Sequence, residues 1–342
     1  GSTFKFVTYT AGLEEKVFNT NEHFNCCGYR IVDGTRIRDW KVGGHGNETF
    51  FEVMQNSCDP GFMEIGLRLG KEKLFKYIKN YGFGEKTNVD LLGEAKGILF
   101  DLDRVGNVEL ATSSFGQGNS GTAIQLVNAS CAAVNGGMLN KPYIVKGIGI
   151  ENSKVFYKSV ENVRRVISKE TSDEVCTALE RVVSLGTARS AYIEGYRVGG
   201  KTGTAQIPVN GVYLDNTYIL SFLGIAPMNN PQITCYIAIK APKTYVQYGG
   251  VVVAPLVKEV LTQSFSIMNI EKQSGGISID SRWYVDSFYY TVEDYINKNV
   301  KEVLPHPFYK IKIIGKGDKI INQIPKKGER IIQDNYVYLY TN

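Results

Sequence analysis

The chain of 342 residues contains no apolar run near the roughly 18 to 20 residues that cross a bilayer, and nothing at its start reads as a signal peptide. It also lacks the dense basic stripe that nucleic-acid binding requires, since its net charge of +5 comes from scattered lysines. Nucleic acid is therefore excluded as a partner, and an anionic small substrate or surface fits better. Histidine is scarce, three in all, and the six cysteines (26, 27, 58, 131, 176 and 235) show no even, dense framework. Adjacent Cys26 and Cys27 are awkward to bridge to each other, so structural disulfides are not expected.

What is present is ordinary globular material, 43% apolar and 21% charged, in a length that corresponds to about two domains. To about residue 150 the chain reads mostly helical. Phe4, Val7 and Ala11 recur at helical spacing, "ETFFEVMQNS" puts Phe50, Val53 and Met54 on one face, and "EKLFKYIKNYGFG" ends at glycine. "GTAIQLVNASCAAVNGG" reads as a buried helix stopped by Gly136-Gly137, and "SDEVCTALERVVSLG" turns Val175, Leu179, Val182 and Val183 inward. Then "GYRVGGKTGTAQI", "TYILSFLGIAP" and "QITCYIAIKAP" alternate as three strands of an antiparallel meander, with "APLVKEVLTQSF" as a helix packed back on it. Helices followed by an antiparallel sheet make an α+β domain over 1–264. A polar, glycine-containing stretch reads as a linker over 265–279, and 280–342 as a second, small α+β unit with a helix at "TVEDYINKNVKEVL".

Three short motifs carry chemistry. Ser2 and Lys5 share one face at a helix N-terminus, where unpaired N–H groups favour negative charge. Alone, Ser2 reads more simply as an N-cap than as a catalyst, and Gly-Ser is a common cloning remnant. "GGKTGT" at 199–204 places Lys201 and Thr202 on a strand whose glycines permit close approach, a pair able to hold a carboxylate. An isolated Lys-Thr-Gly is more simply an edge-strand lysine beside a bend. Between them lies Ser57-Cys58-Asp59. Ser-x-x-Lys, a Ser-x-polar triplet and Lys-Thr-Gly in this order define serine acyl-transfer sites.

With these motifs the chain resembles the class B penicillin-binding proteins, the D,D-transpeptidases. "DWKVGGHG", "VDLLGEAKG", "SSFGQGNSGTAIQL", "VNGGMLNKP", "RVVSLGTA", "SFLGIAP" and "YGGVVVAPLVKEV" extend the resemblance over nearly the whole chain. It implies the penicillin-binding and serine β-lactamase fold, an antiparallel sheet with helices on both sides and a helical subdomain. The unit at 280–342 resembles a PASTA module, best at "IIGKGDKIINQIPKKGERI" and departing from it at "LPHPF". A transpeptidase followed by one such module is similar to the sporulation-type members of the family.

The resemblance implies roles. Ser2 would attack the D-alanyl-D-alanine carbonyl of a peptidoglycan stem peptide, or a β-lactam, and pass the acyl group to an amine on a neighbouring stem. Lys5 would be the base, made neutral by desolvation or by a nearby cation such as Lys201. Ser57 would relay protons. Lys201, Thr202, Gly203 and Thr204 would bind the substrate carboxylate, and the N–H groups of Ser2 and Thr204 would form the oxyanion hole. Family members also carry upstream residues that complete the sheet, a pedestal and a membrane anchor, so the transpeptidase domain is expected to lack its N-terminal part here. The catalytic domain is expected on the outer face of the cytoplasmic or forespore membrane, beside a membrane glycan polymerase.

One departure stands out: Asp59 occupies the position where the family places asparagine. A carboxylate there cannot donate amide N–H bonds to substrate, and it favours a protonated Lys5 that cannot act as base. Structurally, Asp59-Pro60 reads as an N-cap and first residue of the next helix. Acyl transfer itself requires no cofactor. Yet His23, Cys26, Cys27, His45, Cys58 and Asp59 fall close together, and thiolate, imidazole and carboxylate are zinc ligand types. The expected set is Cys26, Cys27, His45 and Asp59, with Zn²⁺ neutralising Asp59; Cys58 ranks below them because alternation turns it away from its neighbours. Such thiolates are oxidisable, which fits anaerobic life or redox sensing. Two alternatives accompany the transpeptidase reading: a non-catalytic or zinc- and redox-regulated sensor of peptidoglycan or β-lactams, and a β-lactamase, for which no deacylating glutamate is identifiable.

Overall fold

The computed structural model describes residues 1–149, 155–209, 212–244, 246–279, 289–332 and 336–342. Two compact units divide the chain, 1–279 and 280–342; the opening residues of the second, 280–288, lie outside the described residues.

In the first unit a single 3-10 turn, Ser2–Phe4, runs directly into α1 (Lys5–Glu14). This helix is not amphipathic as its spacing predicts: Lys5 through Gly12 are all buried. A helix buried on every side is a central element, here with a lysine inside it. Glu14 at its far end ties it to Ser168, accepting from that residue's N–H (3.0 Å) and hydroxyl (2.8 Å). The following helices are α2 (Phe50–Asn56), α3 (Asp59–Asn80), α4 (Asn107–Ser114), α5 (Ala123–Val134) and α6 (Lys169–Ser184), then α7 (Gly249–Val252) and α8 (Ala254–Ile267). Local chemistry sets their ends. Thr49 and Glu52 form a reciprocal capping box at the start of α2, and Thr122 with Gln125 does the same for α5. Gly70, at φ 76°, kinks α3 midway.

The three predicted strands form one antiparallel sheet, Gly199–Val209, Val212–Ala226 and Ile233–Lys240, with the second strand central. Helices cover both faces. Gly203 pairs with Ser221, and a side chain added at Gly203 would meet Thr3 from the turn before α1. Gly224 lies on the opposite face, and there a side chain would meet Val257 and Leu261 of α8.

Short strands interrupt the region expected to be mostly helical: His23–Cys26 pairs with Gly46–Thr49, and Tyr29–Val32 with Thr35–Arg38. At four residues each they are too short for periodicity to reveal. The stretch expected as a linker is docked along the first unit. α8 continues to Ile267, Phe265 and Ile270 are buried in its core, and the Ile277 N–H donates to Glu180 Oε1 at 2.9 Å.

In the second unit Tyr336–Thr341 is the central strand, parallel to Lys310–Ile314 and antiparallel to Ile320–Ile324. The helix expected at 291–304 does not form. Tyr289–Thr291 is a strand against Arg330–Ile332, and the only helical turn in that segment is 3-10, Val300–Glu302. Asn297 at φ 70° is incompatible with a continuous helix, and the Tyr295 N–H is drawn to the buried Gln323 side chain at 2.7 Å.

Candidate active site

Three segments of the first unit converge: the Ser2–Phe4 turn with the start of α1, the Ser57–Asp59 bend between α2 and α3, and the strand Gly199–Val209. Ser57 closes α2 in the left-handed region, φ 60° and ψ 39°, a conformation uncommon for serine. This turn sends its hydroxyl between two lysines. Lys5 Nζ is 3.0 Å from Ser57 Oγ, and Lys201 Nζ is 2.8 Å from the same oxygen. Both lysine side chains are fully buried.

Lys5 spends its remaining donors on the Ser57 carbonyl (2.8 Å) and on Asp59 Oδ1 (2.5 Å). All three N–H groups of an ammonium are thus used. Among the described residues Lys201 pairs with no carboxylate and donates otherwise only to the Thr202 carbonyl at 3.3 Å. Burial, and then the Lys5 charge, hold its pKa well below the usual lysine value. The two amines therefore differ: one is ion-paired, the other is disposed to be neutral. Asp59 is not the cap of α3. Cys58 is, its sulfur accepting from the Gly61 N–H at 3.4 Å, and Asp59 is the first helical residue.

Beside Lys201, the Thr202 hydroxyl contacts that of Thr187 at 3.0 Å. Thr187 is absent from the site expected from sequence, although it lies within the quoted "RVVSLGTA". The Thr204 hydroxyl accepts from the Gly249 N–H at 3.4 Å. Gly203 allows the strand to approach the Ser2–Phe4 turn, since a Cβ there would lie 2.4 Å from Ser221 Oγ and 3.0 Å from Thr3 Cγ2. Ser2 is half-buried at the head of this arrangement, and its hydroxyl makes no hydrogen bond among the described residues. A serine hydroxyl at a helix N-terminus with no partner among the described residues is available to a substrate.

Immediately beneath the Ser57–Asp59 bend lies a second cluster. Ligand atoms of Cys26, Asp39 and Cys58 are mutually within 4.8 Å, all three residues buried. His45 Nε2 lies 3.0 Å from Asp39 Oδ2, is itself buried, and lacks an aligned hydrogen bond. Asp39 Oδ1 accepts from the N–H groups of Trp40 (2.9 Å) and Asp59 (3.1 Å), so it braces the bend directly. The hydrogen bond from Cys58 lowers the Cys26 thiol to about 7 despite burial, whereas burial pushes Cys58 up. Burial also raises the pKa of Glu48, whose carboxylate faces Cys58 and accepts from Asn56 Nδ2 at 3.0 Å.

This cluster differs from the zinc set expected from sequence. His45 lies beside it, touching Asp39 Oδ2, and Cys26 belongs to it. Cys27 does not: it is exposed, with its sulfur 3.4 Å from the Tyr29 carbonyl. Asp59 is committed to Lys5 and reaches the cluster only through its backbone N–H. Cys58 does belong, because the left-handed Ser57 cancels the alternation that would have turned it away. Asp39 was visible only as part of "DWKVGGHG".

Comparison with known proteins gives a consistent result. The family model described as the penicillin binding protein transpeptidase domain matches residues 1–262. Stage V sporulation protein D of Bacillus subtilis is 46% identical, over 99% of this chain and 53% of that protein. Penicillin-binding protein PbpB of Mycolicibacterium smegmatis is 31% identical, over 76% of this chain and 42% of that protein. Among solved structures, the transpeptidase domain of penicillin-binding protein 3 from Burkholderia pseudomallei has a TM-score of 0.72 at 31% identity, over 80% of this chain and 81% of that one. Penicillin-binding protein 3 from Mycobacterium tuberculosis, complexed with aztreonam, has a TM-score of 0.74 at 27% identity, over 82% of this chain and 64% of that one. The chain spans about half the length of the curated relatives it matches.

Proposed function

Since the chain belongs to the penicillin-binding protein transpeptidase family, we propose that it is a peptidoglycan D,D-transpeptidase of cell-wall or spore-cortex synthesis, acylated at Ser2 by stem peptides and by β-lactams. The observation that carries this reading is Ser57 Oγ held between Lys5 and Lys201, at 3.0 and 2.8 Å, beside a serine whose hydroxyl is free. Ser2 Oγ attacks the carbonyl of the penultimate D-alanine, a C–O bond forms, and the C–N bond to the terminal D-alanine breaks. A stem-peptide amine then attacks the ester and restores Ser2.

Attack requires a base, and Lys5 as ion-paired has no lone pair to offer. The geometry supports a relay. Lys5 passes a proton to Ser57 Oγ while the Ser57 hydroxyl proton moves to Lys201, the amine whose pKa burial lowers. Lys5 is left neutral to take the Ser2 proton, and the reverse relay delivers a proton to the leaving amine. Thr202, with Thr187 behind it, and Thr204 bind the substrate carboxylate. The Ser2 and Thr204 N–H groups form the oxyanion hole. The unit at 280–342 is read as a PASTA-like module following a transpeptidase domain over 1–264. The full protein acts at the outer face of the membrane, anchored there and working with a membrane glycan polymerase.

Acyl transfer needs no cofactor, but the cluster beneath the site has the chemistry of a metal centre. Cys26, Cys58 and Asp39 offer two thiols and a carboxylate whose ligand atoms lie within 4.8 Å of one another, and the imidazole of His45 stands next to them against Asp39 Oδ2. Zn²⁺ held by these four would supply rigidity to the bend carrying Ser57. It would not neutralise Asp59, which Lys5 already pairs.

The native mass of the protein before and after penicillin, with Ser2→Ala alongside, tests the activity. One added drug mass, absent in Ser2→Ala, supports acylation at Ser2; no adduct on the wild type overturns it in favour of the sensor reading. An additional zinc mass in the same spectrum, lost in Cys58→Ser, supports the metal centre; a metal-free wild type refutes it.

A further inference from the structure

One buried carboxylate of the first unit has no part in the chemistry described above. Glu180 stands on α6 with its side chain 2% exposed, and it holds the guanidinium of Arg197 in a two-point pair. Arg197 Nε donates to Glu180 Oε1 at 3.2 Å and to Oε2 at 3.1 Å, and a terminal guanidinium nitrogen donates to Oε2 at 2.6 Å. Oε1 also accepts from the Ile277 N–H at 2.9 Å. Such a pair is weak evidence of net stability, because desolvation offsets its attraction. What it supplies is direction, since a planar guanidinium seated on a carboxylate fixes both partners in place.

Arg197 lies four residues before Lys201, at the root of the strand Gly199–Val209. Among the described residues this is an edge strand, paired on one side only. That pairing, Gly199 with Ile225 through Lys201 with Leu223, fixes register in the plane of the sheet. The height of the strand over α6 and the Ser57–Asp59 bend depends instead on contacts across its face. Positions 199, 201 and 203 share that face, and Lys201 is flanked there by two glycines that carry no side chain to hold it. Gly199 lets the strand settle on α6, since a Cβ would lie 3.1 Å from the Glu180 backbone nitrogen. Val198 is buried in the core, but apolar packing is non-directional. The directional anchor ahead of Lys201 is therefore the Arg197–Glu180 pair. Its consequence falls on the 2.8 Å contact between Lys201 Nζ and Ser57 Oγ, which a shift of about 1 Å would break.

The stretch after α8 closes the arrangement. The Gln273 N–H donates to the Gly195 carbonyl at 2.7 Å, and the Ile277 N–H takes the remaining side of Glu180 Oε1. Between them Gly276 passes so close that a Cβ would lie 3.1 Å from Arg197 Cγ and 3.2 Å from Glu180 Oε1. We propose that Glu180 is a positioning residue for Lys201: through Arg197 it sets the height of the strand over the bend carrying Ser57, and the tail 273–277 completes the fastening. This rests on the reading of Lys201 as the amine that takes the Ser57 proton.

The test is the pH dependence of penicillin acylation in the chain 1–342, for the wild type, Glu180→Gln and Ile277→Pro. Glu180→Gln keeps the side-chain shape and an acceptor for Ile277 but loses the charge that holds Arg197. It is expected to slow acylation about tenfold or more. Its rate is also expected to fall on acidification at a higher pH than that of the wild type. A displaced Lys201 is better solvated and keeps its proton more readily, while the charges that face it, Lys5 and Asp59, are unchanged. Ile277→Pro removes the tail N–H and is expected to show both changes on a smaller scale. A slower rate with the acidic fall unmoved makes the pair merely structural and overturns the proposal, as does the wild-type profile in both variants. Should Glu180→Gln fail to fold by circular dichroism, Ile277→Pro decides alone. A wild type that forms no adduct at all overturns the acylation reading, and this proposal with it.

Discussion

Lys5 Nζ and Asp59 Oδ1 lie 2.5 Å apart, the lysine fully buried and the carboxylate only slightly exposed. In a site whose base must be a neutral amine, this pair holds the proton where it is not wanted. An asparagine at position 59 could accept the same lysine N–H through Oδ1 without the charge that fixes the proton, and would add an N–H donor.

Asp59→Asn is therefore expected to accelerate penicillin acylation, because the ion pair that favours the charged form of Lys5 is removed. The same change removes a charged hydrogen bond from a buried lysine and is expected to cost about 1.5–3 kcal/mol of stability. Stopped-flow acylation and thermal melting, measured on the same preparations, check the two effects. An unchanged rate would mean that Asp59 does not restrain Lys5.

The depressed Lys201 gives a pH signature. In the unfolded chain this lysine titrates near 10.5, whereas in the folded protein it releases its proton well below that value. Between the two, the unfolded state binds more protons, so the Lys201 contribution to stability rises with pH across that window. Relative to Lys201→Met, the wild type is expected to gain denaturant resistance as pH rises from neutrality toward 10. The acylation rate is expected to fall on acidification, as protonated Lys201 ceases to accept from Ser57. A flat difference between the two proteins would contradict the assignment.

The metal reading distinguishes neighbouring cysteines. Cys26→Ser and Cys58→Ser are expected to abolish stoichiometric zinc and lower the melting temperature by several degrees, as is chelation of the wild type. Cys27→Ser, exposed and outside the cluster, is expected to change neither. Metal analysis with scanning calorimetry reads both. Loss of zinc in Cys27→Ser would restore the ligand set expected from sequence.

Gly203→Ala probes the approach of the strand to the nucleophile turn. Its methyl would fall 2.4 Å from Ser221 Oγ and 3.0 Å from Thr3, so the strand or the turn must move. Acylation is expected to slow by about a hundredfold, the usual consequence of a misplacement near 1 Å, with far-ultraviolet circular dichroism unchanged. Gly275→Ala, which has open space around it but a positive φ, serves as a control affecting stability alone.

Much of this was readable from residues alone. The helices carrying Val175, Leu179 and Val183 or Phe50, Val53 and Met54, and the meander of 199–240, follow from periodicity, because burial of one face or stripe imposes it. The motifs at Ser2, Ser57 and Lys201 were legible as types in an order. Other features were not. Periodicity could not show that α1 is buried all round, nor find four-residue strands, nor exclude the helix at 291–304, where Gln323 from a distant strand captures the Tyr295 N–H.

The residues themselves determined which groups exist to do chemistry: a serine and lysine one helical turn apart, a second lysine between glycines, and an aspartate where an amide is usual. Only the tertiary structure decided which of these groups meet. Ser57 in a left-handed turn places one oxygen between two lysines 52 and 144 residues away and swings Cys58 toward Cys26 and Asp39. The physical reason is that proton transfer and metal ligation depend on separations of a few ångströms, which are set by a single φ angle and by packing of distant segments, and neither is written in local composition.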